Sequence, residues 1–230
     1  MLKRFTTDPI NVSKTMFTAL DLVSIQTQTR VQGNKVRRNN VLTEVNHYDA
    51  ENDEINVQDV YQWQAETDQF IKMGDSNTLE EIKFDRGWSE ETLREEIFQR
   101  KLVLAYLIEQ GLNTYTQVAA SLQAFMNDPE TILGLIADGG LERSLEDLRE
   151  MESVMIDIDP AKEEMVPRPD PPEEIRAEAQ GVIEEAESML AEYEEQPTPD
   201  LESALSADDP ATDAAADGGE TSFEFGGDGE

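Results

Sequence analysis

The chain has 230 residues, enough for one ordinary domain and a tail, with a formal charge of −33, one histidine and no cysteine. So acidic a balance argues against nucleic acid as a partner, because Lys and Arg must replace the counterions of phosphate. The missing thiols exclude a disulfide framework or a thiolate metal site, and no run approaches the roughly 18 apolar residues needed to span a membrane.

The first stretch, "MLKRFTTDPI", lacks the apolar segment of a signal peptide. Over residues 12–20, Val12, Met16, Phe17 and Leu20 share one helical face, with Asn11 or Ser13 as cap. The period then changes. Val23, Ile25, Thr27, Thr29 and Val31 alternate with polar residues, which predicts a half-buried strand. Gly33-Asn34 supplies a tight turn. Val41, Thr43 and Val45 mark a second strand, and the single histidine, His47, falls in the polar turn "VNHYDAEND" as a solvated side chain. "INVQDVYQW" alternates again through Ile55, Val57, Tyr61 and Trp63, and "QFIKM" adds a short fourth strand. The expectation is a small antiparallel sheet over residues 22–73.

Helical signals follow from residue 76. "SNTLEEIKFDRG" ends near Gly87; Ser89 caps a long helix striped by Leu93, Ile97, Leu104, Leu107 and Ile108 and stopped by Gly111. "TYTQ" at 114–117 has the form of a capping box before Val118, Leu122 and Phe125. Asp128 and Pro129 restart a helix that stops at Gly139-Gly140, and Leu141, Leu145 and Leu148 suggest one more. These stripes read as core. The fold class is α+β: residues 1–153 form sheet and helical cluster (helices about 76–153), 154–172 a Pro-rich linker and 173–195 an acidic amphipathic helix. That helix carries a narrow seam of Ile175, Ala179, Val182, Ala186, Met189 and Tyr193. It lies on the folded part, binds a partner helix, or frays. Residues 196–230 have the composition of a disordered acidic tail.

Charge is spread unevenly along these elements. Residues 1–48 hold seven Lys/Arg and three Asp/Glu, whereas residues 151–230 alone carry a net −22. Self-repulsion of this size is relieved by salt. The composition reads as that of a protein for a salty cytosol, as in halophilic archaea; the plainer reading is an ordinary acidic protein with an acidic tail. Between Asp21 and Glu44 the only charges are Arg30, Lys35, Arg37 and Arg38.

No catalytic constellation is present in the residues themselves. There is no GxxxxGK[ST], HExxH or GxSxG, and Gly33-Asn34-Lys35 joins strands instead of leading into a helix. Read by composition alone, the chain is a stand-alone acidic interaction or adaptor protein without catalytic activity.

The order of elements adds a resemblance. The run from Arg4-Phe5 through Pro9, Leu20-Asp21, Gln26, Arg37-Arg38 and Glu44 is similar to the segment after the histidine box in archaeal type II/type IV secretion ATPases. These are the GspE-type motors of archaella and pili. The likeness continues through "INVQDVYQWQAETDQF", "SNTLEEIKFDRGWSEETLREEIFQRKLVLAYLIEQG" and "NDPETIL", over about residues 2–137. Phe5, where the family has Leu, and Asn39-Asn40 depart from it.

The resemblance implies a C-terminal part or separate subunit of an assembly motor. It implies a homo- or hetero-hexameric ring at the cytoplasmic face of a membrane platform protein, with a cytoplasmic or peripheral location. ATP and Mg serve the complete motor. Walker A, Walker B and the histidine box precede the segment found here, so no catalytic or nucleotide-binding residue carries over. Arg4, Pro9, Asp21, Gln26, Arg37, Arg38 and Glu44 carry over as structural or interface positions only. For Arg37 and Arg38 three roles stay open: a nucleotide held by another chain, carboxylates of the same fold, or a neighbouring subunit. Adjacent strand positions point to opposite faces, so one guanidinium can pair inward while the other faces out.

Overall fold

The computed structural model describes residues 2–31, 33–150, 170–193 and 200–206. The chain divides into two units, Met1–Leu93 and Arg94–Glu230.

The first unit opens with α1 (Leu2–Phe5) and a 3-10 helix (Lys14–Ala19). Four strands follow: β1 (Leu22–Val31), β2 (Asn34–Asp49), β3 (Glu54–Gln64) and β4 (Gln69–Lys72). They pair in chain order as one antiparallel sheet, so the α+β expectation holds. The unit closes with α2 (Asn77–Asp85) and the first turn of α3 (Glu90–Glu109).

Several local expectations are corrected. Residues 12–20 give a short 3-10 helix instead of an α-helix. The Ser13 hydroxyl is engaged by the Thr15 hydroxyl at 2.6 Å and caps no backbone N–H. Of the expected apolar face only Phe17 is buried, edge-on to Phe5 with ring centres 6.0 Å apart, while Met16 and Leu20 are exposed. In the first hairpin Val31 pairs with Asn34, so Asn34 opens β2, and Gly33 takes a left-handed turn position at φ 87°. β2 continues to Asp49, which places His47 within the strand, exposed, and not in a turn.

Strict alternation also fails, for a physical reason. The register shifts at Ile25/Gln26, Leu42/Thr43 and between Val45 and His47. Each irregularity adds a residue to one strand and resets which face its side chains take. Val57 and Tyr61 are therefore exposed, and Val60 and Trp63 are buried in β3; Ile25 is exposed too, although the extra residue beside it belongs to β2.

The second unit is helical. It holds the rest of α3, then α4 (Tyr115–Asn127), α5 (Pro129–Ala137), α6 (Leu141–Glu150), α7 (Glu173–Leu190) and α8 (Leu201–Ser206). The capping box at Thr114 and Gln117 is formed, and Asp128 caps α5 with Pro129 in its first turn. The core joins Leu102, Val103 and Leu107 of α3 to Phe125, Ile132, Leu133, Leu141 and Leu145. The stripe expected for α3 is only partly right: Ile97 and Leu104 are exposed, and Leu102 and Val103 are fully buried. Leu122 likewise faces out, with the smaller Ala120, Ser121 and Ala124 packed inward beside Phe125.

The acidic helix lies on this unit's own core through Ala179, Val182, Ala186 and Leu190. Part of the expected disordered tail is ordered as α8, whose Leu201 and Ala204 are buried. Asp200 accepts from the Glu202 N–H at 3.0 Å, and the Asn127 amide donates to the Ala204 carbonyl at 3.1 Å. Most of the expected linker and the rest of the tail lie outside the described residues.

Candidate functional site: the grip of β2 on the following segment

β2 carries three of the singled-out residues, and two of them hold chain that comes later. Arg38 reaches the β3–β4 turn. Its Nε and Nη2 each donate at 2.7 Å to Asp68, one to each carboxylate oxygen. The Trp63 indole N–H donates to the same carboxylate at 2.9 Å. Asp68 sits at φ 56°, a left-handed position that Asp tolerates in turns. The Arg38 hydrogen bond holds Asp68 below the usual carboxylate range, and the bond to Asp68 in turn raises Arg38. A bidentate pair of this kind fixes geometry as well as charge.

Glu44 is the second grip. It is 1% exposed, and its carboxylate meets the N-terminus of α2. The Ser76 hydroxyl donates to Oε1. The Asn77 N–H donates to Oε2 at 2.8 Å, and the Thr78 N–H to Oε1 at 3.4 Å. Ser76 meanwhile accepts from the Leu79 N–H at 3.1 Å. A glutamate 32 residues upstream thus satisfies donors that a helix start leaves open, where the helix dipole favours negative charge. Burial pushes the Glu44 carboxyl up. The hydrogen bonds from Ser76, Asn77 and Thr78 outweigh it, so the group lies below its ordinary value. Side-chain amides ring the joint: Asn77 donates to Asn46 and Gln58, both at 3.2 Å, and Gln58 donates to the Asp75 carbonyl at 3.0 Å.

The remaining positions do not converge on a site. Arg37 is exposed, and its carbonyl accepts from Arg38 at 2.9 Å. Arg4 lies exposed on α1, and Pro9 exposed in the loop after it. The Asp21 carbonyl accepts from the Val45 N–H at 3.0 Å, and its side chain is exposed. Gln26, at the β1 irregularity, donates to Ser24 at 2.8 Å. Asp68 and the Ser76–Thr78 cap escaped sequence reasoning. The available signals were a lone Asp in the turn "ETD" before an aromatic strand and a serine ahead of a helix; neither names its distant partner.

The sequence lacks a phosphate-cradling loop, and among the described residues no group of three acidic or imidazole side chains is placed to hold a metal. A groove of about 160 Å³ between α3 and α7 is lined by Leu104, Ala105, Ile108, Ile175, Ala179 and Val182, with Lys101 and Glu178 at its rim. It is apolar and below the usual size of a small-molecule site. No helix of the described residues is long and apolar enough to cross a membrane.

The arrangement is that of a sheet unit whose strand β2 holds that unit's own β3–β4 turn and α2 through half-buried and buried charge. Residues 66–140 match the family model described as PilB3-like, C-terminal. The matched segment supplies Asp68 and the Ser76–Thr78 cap, and the sheet ahead of it supplies Arg38 and Glu44. Two uncharacterized proteins of Methanocaldococcus jannaschii are also similar. One is 32% identical over 113 residues, covering 49% of this chain and 42% of its own length. The other is 28% identical over 130 residues, covering 56% of this chain and 18% of its own length. The chain spans less than half the length of these curated relatives.

Proposed function

We propose that the chain is the C-terminal part, or a separate subunit, of a secretion, archaellum or type IV pilus assembly ATPase. It supports ATP-driven translocation or filament assembly without a nucleotide site of its own. The observation that carries this reading is the PilB3-like C-terminal match over residues 66–140, on a sheet-then-helices fold in the order the family resemblance implies. A second feature supports it. The sheet unit leaves large apolar side chains exposed, among them Leu22, Phe70, Ile71, Met73 and Phe84. Large apolar side chains left at the surface in this number are available for contact with further protein.

In this role Glu44 and Arg38 keep the module rigid, and Arg37, exposed at the surface, is available to a neighbouring subunit of a ring. The platform at the cytoplasmic membrane face is the docking partner of the whole assembly. Nucleotide and Mg belong to the partner that carries the phosphate-binding loop. The test is ATP turnover. The purified chain alone is expected to hydrolyse no ATP, and to raise the turnover of a co-expressed chain bearing GxxxxGK[ST] several-fold. Turnover by a clean preparation of this chain, or no effect on any such partner, contradicts the reading.

A further inference from the structure

The four-stranded sheet has two edges, β1 and β4, and they differ. β4 has four residues and carries Lys72, ion-paired with Asp75 at 2.8 Å. A short, charged strand is how proteins ordinarily blunt an edge. β1 has ten residues, no proline, and Arg30 as its only charge. Among the described residues no strand other than β2 pairs with it. Its outward N–H and C=O groups form a template about 33 Å long at the usual rise per residue, with exposed Leu22 and Ile25 along it.

We infer that β1 is the interface on which a second copy of this chain docks, antiparallel across a two-fold axis, so that two four-stranded sheets join as one. Two features select a second copy. The first is the pattern of the strand. A two-fold normal to the sheet sets odd positions against odd positions, so Val23, Ile25, Thr27, Thr29 and Val31 of one copy meet the same set of the other. Such β-branched pairs suit a sheet. The two Arg30 side chains fall at opposite ends, beyond the range of their mutual repulsion at physiological salt.

The second feature is charge. The β1–β2 hairpin end of the edge is basic, with Arg30, Lys35 and Arg37 exposed, while Glu66 and the paired Asp68 sit in the β3–β4 turn, two strands away from β1. Lys35 and Arg37 have no carboxylate partner among the described residues. The other end is acidic, with Asp21, Asp49, Glu51 and Glu54. Antiparallel docking brings the basic end of each copy to the acidic end of the other, twice by symmetry. The inference stands apart from the motor reading, since the edge and its charges belong to this chain alone.

The experiment measures mass against concentration by sedimentation in screening salt, with hydrogen exchange on the same samples. Wild type is expected to form a dimer whose outward β1 amides exchange at least tenfold more slowly than in the diluted chain. Ile25→Lys with Thr27→Lys, which sets like charges on the edge, is expected to weaken dimerisation at least tenfold with the far-UV CD of the sheet kept. Three results overturn the inference: a wild type monomeric at every concentration, a dimer whose β1 amides stay fast, or an edge filled only by a different protein. The exchange measurement decides the matter on wild type even if the double variant fails to fold.

Discussion

Glu44 shows how one carboxylate can be worth more than its position in a pattern. By alternation it is simply the polar residue between Thr43 and Val45. In the fold it is buried and satisfies Ser76, Asn77 and Thr78 together. Glu44→Gln is expected to cost about 1–3 kcal/mol, the usual loss when a buried, charge-assisted set of hydrogen bonds is weakened. Both tryptophans, Trp63 and Trp88, lie in the sheet unit, so denaturant unfolding followed by tryptophan fluorescence reports on it. The sign with pH follows from the lowered carboxyl. Its contribution is present above the ordinary glutamate value of 4.5 and is lost as pH falls through the lower folded value. A wild type that keeps its advantage over Glu44→Gln down to pH 2 would contradict this.

The neighbouring arginines make a paired test at the same scale. Arg38→Ala breaks a half-buried bidentate contact and leaves the Asp68 carboxylate short of a partner. It is expected to destabilise the sheet unit by about 1–2 kcal/mol. Arg37→Ala removes an exposed side chain and is expected to stay within about 0.5 kcal/mol of wild type. Equal losses for the two, in the same fluorescence assay, would mean that the faces of β2 are wrongly assigned.

Among the elements, α8 tests whether the unexpected order after residue 199 has energetic weight. Leu201 is 2% exposed within the helical core, and Leu201→Ala is expected to cost about 2 kcal/mol or more, read as a lower thermal midpoint by far-UV CD. An unchanged midpoint would show that α8 is not seated. This helix was hidden from the sequence because its six residues, Leu-Glu-Ser-Ala-Leu-Ser, are outvoted by the Pro, Asp and Gly around them. The caps at Ser89, Thr114 and Asp128 were legible, since each acts on a residue three positions away. The existence and order of the strands were legible for the same reason, since turns are local, although β2 begins at Asn34 and runs on through His47 to Asp49. Side-chain faces were not. Extra residues at Asn40 and Asn46 of β2 and Val60 of β3 reset them, and the helical core encloses Leu102 and Val103 while leaving the equally apolar Leu104 outside. The partners of Glu44 and Arg38 lie about thirty residues away, where spacing carries no signal.

For the molecule as a whole, the sheet unit and the helical unit are unlike in how much they bury. The helical unit has a dense core from Leu102 to Ala204. The sheet unit relies on a few buried side chains, chiefly Phe17, Val36, Val60 and Trp63, with the Glu44 and Arg38 grips. A thin core beside broad apolar exposure is what a module made to be covered by more protein should show. The match of residues 66–140 to a PilB3-like C-terminal domain supports a motor as that further protein. The most direct measurement is the mass of a mixture of this chain with the nucleotide-binding half of such a motor from the same genome. The account predicts a stoichiometric complex in which the exposed apolar residues of the sheet unit become protected from exchange. Two species that co-migrate with nothing, at concentrations well above micromolar and in high salt, would contradict it.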